Sequence, residues 1–154
     1  MVEGSFTADT TVGILPLTVN FNLQIDSGDP VSYLWDFGDG NTSVEGAPTN
    51  IYETTGPHTV ILRITDVDDN VTTIRQGYYI NVGKILFEAA PSTGRSPLEV
   101  SFENMSTAPE GYVYVSWEWD FGDDSPVSTE FSPMHTYLAV GEYNVTLSAQ
   151  LMQL

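Results

Sequence analysis

The chain has 154 residues, 41% of them apolar, which suits one medium domain or two small ones and excludes wholesale disorder. Four Lys and Arg stand against 21 Asp and Glu, a net charge of −17. That excludes nucleic acid and anionic membranes, which need a basic footprint, and reads first as a soluble, self-repelling surface. There is no Cys, so disulfides, thiolate zinc sites and cysteine nucleophiles are excluded, while an extracellular location is not.

In chain order, the first element follows directly on Met1-Val2-Glu3, so no signal peptide is expected. Strands are predicted near 4–8, 17–24, 31–37, 42–45, 49–52, 58–65 and 71–82. Leu17, Val19, Phe21 and Leu23 alternate with Thr18, Asn20 and Asn22. Tyr33, Trp35 and Phe37 alternate with Leu34 and Asp36, and Val60, Leu62 and Ile64 with Ile61, Arg63 and Thr65. A period of two places each apolar set on one face of a sheet. Short strands broken by Gly, Pro, Asn and Asp indicate an antiparallel sandwich. No stretch has helical periodicity, and no apolar run approaches the ~18 residues of a membrane-crossing helix, so membrane insertion is not expected.

The same pattern then recurs. Phe6, Gly13, Pro16, Val19 and Phe21 return as Phe87, Gly94, Pro97, Val100 and Phe102, always 81 positions later. Trp35-Asp36-Phe37-Gly38-Asp39 returns 84 positions later, from Trp119 to Asp123. Tyr52, Gly56, Val60 and Leu62 return at 85, as Tyr137, Gly141, Val145 and Leu147. The offset grows only between anchors, where loops accept insertions. Two tandem units follow, residues 2–83 and 84–154, joined through Val82-Gly83-Lys84, a short joint expected to set their angle. The expected fold class is all-β: two tandem immunoglobulin-like antiparallel β-sandwiches.

In the repeated block the aromatic residues are expected to anchor a central strand, since aromatics bury large areas. Gly38 allows a sharp turn, and Asp39-Gly40 is a favoured turn pair. Asp124 replaces Gly40 in the second copy, and Asp tolerates left-handed geometry better than most residues.

The combined pattern resembles the PKD (polycystic kidney disease) domain family. It is carried by Gly13, Pro16-Leu17, Val19, Phe21, Trp35 to Gly40, Pro48, Tyr52, Gly56, Val60 and Leu62. In the second unit it is carried by Gly94, Pro97-Leu98, Val100, Phe102, Trp119 to Asp123, Pro133, His135, Tyr137, Gly141, Tyr143, Val145 and Leu147. Asn50 stands where the family has His, His58 where it has Tyr, and Asp124 where it has Gly. The resemblance implies an immunoglobulin-like, non-enzymatic module. Such modules occur in surface-layer and adhesion proteins and beside the catalytic domains of secreted proteases and chitinases. They act as spacers or bind proteins, glycans or fibrous substrates, and some bind calcium.

The second unit has few residues after Leu147, so a final strand like that near 71–82 is expected to be absent and an edge left open. A shortened chain, a strand supplied by another subunit, and a fold with fewer strands all fit this reading.

Asp36 with Asp39 and Asp120 with Asp123 are read as turn formers, because carboxylates three apart across a turn do not span a glycosidase cleft. The candidate metal ligands are Asp26 and Asp29, with Ser27, in an oxygen-rich loop suited to calcium. Asn104, Ser106 and Glu110 are a weaker set in the second unit. Asp66-Val67-Asp68-Asp69-Asn70 has Val71 and Gly77 where an EF-hand loop needs Gly and Glu, and is read as a polar hairpin. His58 and His135 have no nucleophile placed beside them by a recognisable motif. Tyr52 and Tyr137 occupy positions suited to a tyrosine corner. Asn41, Asn70, Asn104 and Asn144 each begin a glycosylation triplet. Tyr78-Tyr79 and the pair Tyr112 and Tyr114 are read as strand packing, with half of the side chains inward.

The expected function is a non-catalytic, extracellular or cell-surface module for adhesion or spacing, contacting protein or glycan. Two alternatives are a structural subunit of a virion or filament that exchanges strands, displayed on the virion surface, and an accessory substrate-binding domain of a secreted hydrolase. Self-association through the open edge is a further expectation.

Overall fold

The computed structural model describes residues 1–154. The chain divides into two compact units, Met1–Gly83 and Lys84–Leu154. Both are built from strands alone.

The first unit contains β1 (Glu3–Ala8), β2 (Val12–Ile14), β3 (Leu17–Ser27), β4 (Pro30–Asp36), β5 (Thr42–Ser43), β6 (Thr49–Tyr52), β7 (Gly56–Asp66) and β8 (Val71–Gly83). One sheet has the order β1-β3-β6 and the other β2-β8-β7-β4-β5. All pairs are antiparallel except β2 with β8, where Val12, Gly13 and Ile14 run parallel to Asn81, Val82 and Gly83. The three-residue β2 was not expected from the sequence. It is too short to show alternation, and its pairing is set by β8, almost seventy residues away.

The alternation of β3, β4 and β7 converges on one core. Phe6, Val19, Phe21, Trp35, Phe37, Tyr52, Val60, Leu62, Ile64, Ile80 and Val82 are all essentially fully buried. Each strand contributes every second residue, so the two sheets meet through their inner faces. In β8 the pairing with β7 jumps from Val60↔Gln76 to His58↔Ile80, an irregularity that inserts extra residues. Tyr78 there takes a left-handed φ of 53° and is 76% exposed, while Tyr79 packs edge-on against Phe6 at 5.7 Å. The bulge thus decides which tyrosine of the pair faces inward.

The second unit contains β9 (Phe87–Ala90), β10 (Leu98–Asn104), β11 (Tyr112–Asp120), β12 (Met134–Tyr137) and β13 (Thr146–Gln153). Its sheets are β12-β10-β9 and β11-β13. Val100, Phe102, Trp119, Phe121 and Tyr137 form its buried centre. By the repeat offsets β11 and β13 match β4 and β7, and β8 has no counterpart. Accordingly Val145, Leu147 and Ala149 are only half-buried, whereas their equivalents Val60, Leu62 and Ile64 are sealed.

Candidate functional site

The duplicated Trp-Asp-Phe-Gly-Asp segments lie at the end of β4 and of β11, and each is used up by the interior and by its own turn. Trp35 is fully buried, and its indole Nε1 donates to the Glu45 carbonyl at 2.8 Å. Phe6, Phe21, Trp35 and Phe37 form a continuous ring cluster with centroids 5.1–6.3 Å apart. Trp119 repeats this: its Nε1 donates to the Glu130 carbonyl at 2.9 Å, and it packs with Phe87 and Phe102. A buried indole needs such an acceptor, and each copy supplies it from the backbone of the following loop.

The carboxylates hold the turns. Asp36 accepts the Gly38 amide at 2.9 Å, and Asp120 accepts the Gly122 amide at the same distance. Asp39 accepts from the Asn41 amide at 3.0 Å and from the Asn50 side chain at 2.8 Å. Gly38 has φ 78°, and a Cβ there would collide with the Thr59 carbonyl oxygen, so only glycine fits. Asp124 adopts φ 61°, the left-handed conformation its position requires. Behind the turn, the Tyr52 hydroxyl donates to the Phe37 carbonyl at 3.2 Å, and Tyr137 does the same to Phe121 at 3.1 Å. Burial, reinforced by the Asp39 charge, pushes the Tyr52 phenol well above its ordinary pKa. Burial, followed by the Asp123 charge, raises that of Tyr137.

The two histidines occupy neighbouring stations around these tyrosines. His58 lies against Tyr52 at 4.8 Å, and its ring nitrogens face the Gly38 and Thr54 carbonyls. In the second unit Tyr143 takes that place, stacked on Tyr137 at 4.3 Å. His135 takes the place of Asn50: its Nε2 meets Asp123 at 2.8 Å, and its ring stacks flat on Phe121 at 4.1 Å. Burial opposes ionisation of Asp123, but the hydrogen bonds from Ser125 and His135 outweigh it and lower its pKa. An Asp–His pair invites a catalytic reading. Here, however, the Ser125 hydroxyl donates to Asp123 and is not a nucleophile held by the imidazole. The arrangement ties a turn to a strand.

The cation candidates are dispersed. Asp26, on β3, and Asp29, just before β4, are both exposed, and the neighbouring Ser27 hydroxyl donates to Glu3. No group of three or more acidic or imidazole side chains gathers anywhere in the chain. Calcium takes about six to eight oxygen ligands, so these two carboxylates alone supply too few. Asn104 is buried, and its side-chain oxygen already accepts the Ser106 amide. Asp66 closes the β7–β8 hairpin, accepting the Asp68 and Asn70 amides at 2.9 Å and the Met1 amine at 3.1 Å. The Asn70 amide above all, with the Asn70 side chain, the Met1 amine and the Asp68 amide, lowers the Asp66 pKa to about 2 against an opposing effect of burial. Of the glycosylation triplets, Asn104 is buried, and the Asn41 and Asn70 side chains are bonded within their turns.

One feature escaped sequence reasoning. Trp117 shares the parity of Trp119, and alternation alone would place both on the inward face. Instead it joins Tyr114 at 4.9 Å and Phe131 at 5.4 Å in an aromatic row apart from the buried cluster. A register shift in β11 between Tyr114 and Ser116 and the path of the loop carrying Phe131 create the row. Neither is legible in the alternation. Phe131 is 56% exposed.

These observations define an immunoglobulin-like β-sandwich module, present twice, whose most regular motif is architectural. The chain belongs to the PKD domain family: residues 3–82 and residues 87–153 each match a PKD domain. Over 99 residues it is 36% identical to the pre-pro-metalloprotease PrtV of Vibrio cholerae, covering 64% of this chain and 11% of that protein. Over 41 residues it is 49% identical to collagenase ColA of Bacillus cereus, covering 27% of this chain and 4% of that protein. A PKD domain from the Vibrio cholerae metalloprotease PrtV, solved by crystallography, aligns with 33% identity and a TM-score of 0.43, over 52% of this chain and 96% of that one. The chain thus spans only a small part of the curated relatives it matches.

Proposed function

We propose that this chain is a non-catalytic pair of modules that spaces other domains of an extracellular protein and contacts protein or glycan through its surface. The observation that carries this reading is the burial of Trp35, Phe37, Trp119 and Phe121 in the interior together with the bonding of Asp36, Asp39, Asp120 and Asp123 within their own turns, which assigns both segments an architectural role. The relatives named as a pre-pro-metalloprotease and a collagenase support an accessory place beside a hydrolase, and therefore an extracellular one. The virion reading draws no support from them.

The Tyr114, Trp117 and Phe131 row is the contact element this reading favours. Aromatic rings supply large, rigid area at small entropic cost, and stack on sugar or peptide alike. Pull-down of the chain on fibrous protein and on insoluble polysaccharide tests the proposal. Retention should fall about tenfold or more with Trp117→Ala or Phe131→Ala, as expected for a dominant contact residue. Retention on neither material, or hydrolytic turnover by the isolated chain that disappears in Asp36→Asn, would overturn it.

A further inference from the structure

The first unit's only Lys or Arg side chains, Arg63 and Arg75, stand on one surface, the outer face of β4, β7 and β8. Strand pairing fixes this. Val60, Leu62 and Ile64 of β7 are sealed in the core, so the intervening Ile61 and Arg63 point outward. Arg63 sits opposite Leu34 of β4 and Thr73 of β8, and Ile61 sits opposite Asp36 and Arg75. Arg63 and Arg75 are therefore diagonal neighbours, roughly 7–8 Å apart. Both are exposed, and Leu34 beside them is 41% exposed. Tyr78 joins them where β8 bulges. With Tyr79 turned inward, Tyr78 is held outward in a left-handed conformation that a bulky residue adopts only at a cost.

Neither guanidinium has an acidic partner, since the chain's salt bridges join Met1 to Asp66 and His135 to Asp123. The one carboxylate that the three paired strands place on this face is Asp36, and it accepts the Gly38 amide. An acid-poor face with two Arg and a projecting Tyr, on a chain with 21 carboxylates, has the makeup of a protein interface core. Arg and aromatic residues are enriched in such cores, and Asp, Glu and Lys are depleted. Net charge decides between kinds of anion. At −17 the chain repels a long polyanion such as a nucleic acid or an acidic polysaccharide. At about 0.15 M salt, charges beyond roughly 8 Å are screened, so a few carboxylates brought into contact meet the two arginines first.

We infer that this face docks an extended acidic segment of a partner protein, with two carboxylates at alternate positions, one on each arginine. Alternate residues of an extended strand lie roughly 6.4–6.8 Å apart, close to the diagonal spacing of Arg63 and Arg75. Each guanidinium offers its planar fork to one carboxylate. Leu34 and Tyr78 flank the pair and receive apolar side chains outside the two acids. Because β7 is paired on both sides, recognition runs through side chains and not through added strand pairing. The face is small, so the contact is weak and transient. It lies on the first unit and does not depend on the aromatic row.

The probe is the end-blocked peptide Leu-Thr-Glu-Thr-Glu-Thr-Leu, titrated into the whole chain at about 0.15 M salt and followed by backbone amide chemical shifts. Shifts are expected in residues 61–65 and 73–78, with half-saturation below ~1 mM, a weak-binding limit. A peptide with Gln in place of both Glu should bind about tenfold more weakly or not at all. Arg63→Gln and Arg75→Gln should each weaken binding about tenfold, through loss of a charge-assisted hydrogen bond. Both positions are exposed, and a parent-like melting curve shows that each variant folds. Arg95→Gln, exposed in the second unit, should change nothing. The inference fails if the peptide shifts nothing at ~1 mM, if the Gln peptide binds as well, or if Arg95→Gln weakens binding as much as Arg63→Gln. It also fails if polygalacturonate occupies the same residues more tightly than the peptide, which would make a glycan the ligand. Shifts in these residues on concentrating the chain alone would overturn it too, by making a second copy the occupant.

Discussion

Replacing Tyr52 with Phe removes one hydroxyl and leaves the ring in place. The hydroxyl donates to the Phe37 carbonyl at 3.2 Å, and both residues are sealed from solvent. A net hydrogen bond contributes about 1 kcal/mol, and a buried carbonyl left without its donor costs about 1–3 kcal/mol. The first unit should therefore lose about 1–3 kcal/mol. For a unit of about 80 residues each kcal/mol moves the midpoint by about 4–8 °C, so calorimetry should show a fall of about 4–24 °C. Tyr137→Phe should produce a comparable loss in the second unit, while Tyr78→Phe, at an exposed position, should change nothing. The same burial predicts the pH response. A phenol whose folded pKa is raised stabilises the fold fully below the ordinary tyrosine value of about 10 and loses that contribution as pH rises above it. Unfolding at high pH should thus coincide with a delayed phenolate absorbance. A Tyr52→Phe variant that melts within about 1 °C of the parent would refute the claim that this bond secures the motif.

Other expectations concern the turns and the loop ends. Gly38→Ala should cost about 3 kcal/mol in denaturant titration, because a left-handed backbone and a collision with the Thr59 carbonyl add; Gly40→Ala, with φ 97° but open space, should cost only about 1–2 kcal/mol. Asp66, held to about 2 in the fold against about 3.9 unfolded, contributes stability above pH ~4 that is lost as pH falls through 2. Urea midpoints at these two pH values should converge in Asp66→Asn. His135→Asn should stay within about 1 kcal/mol of the parent, since Asn50 makes the same bond to Asp39, whereas His135→Ala should cost about 1–3 kcal/mol by leaving Asp123 short of a donor.

The sequence by itself determined the all-β class, the twofold repeat and the interior role of Trp35 and Trp119. Period-two alternation and the fixed offsets are local or self-referential signals, readable without knowing what lies opposite. It also placed Asp36, Asp39, Asp120 and Asp123 in turns, because an Asp reaches its own backbone two residues on. Only the tertiary structure decided what depends on a distant partner. The parallel seat of β2 exists because β8 passes beside it. Tyr79 faces inward, not Tyr78, because β8 bulges against β7. Trp117 packs with Tyr114 and Phe131 and not in the core because the register shift in β11 brings Tyr114 beside it and a loop carries Phe131 across. Val145 stays half-covered where Val60 is sealed, although the residue type is the same, because burial is set by what packs on top of a side chain and not by the side chain itself.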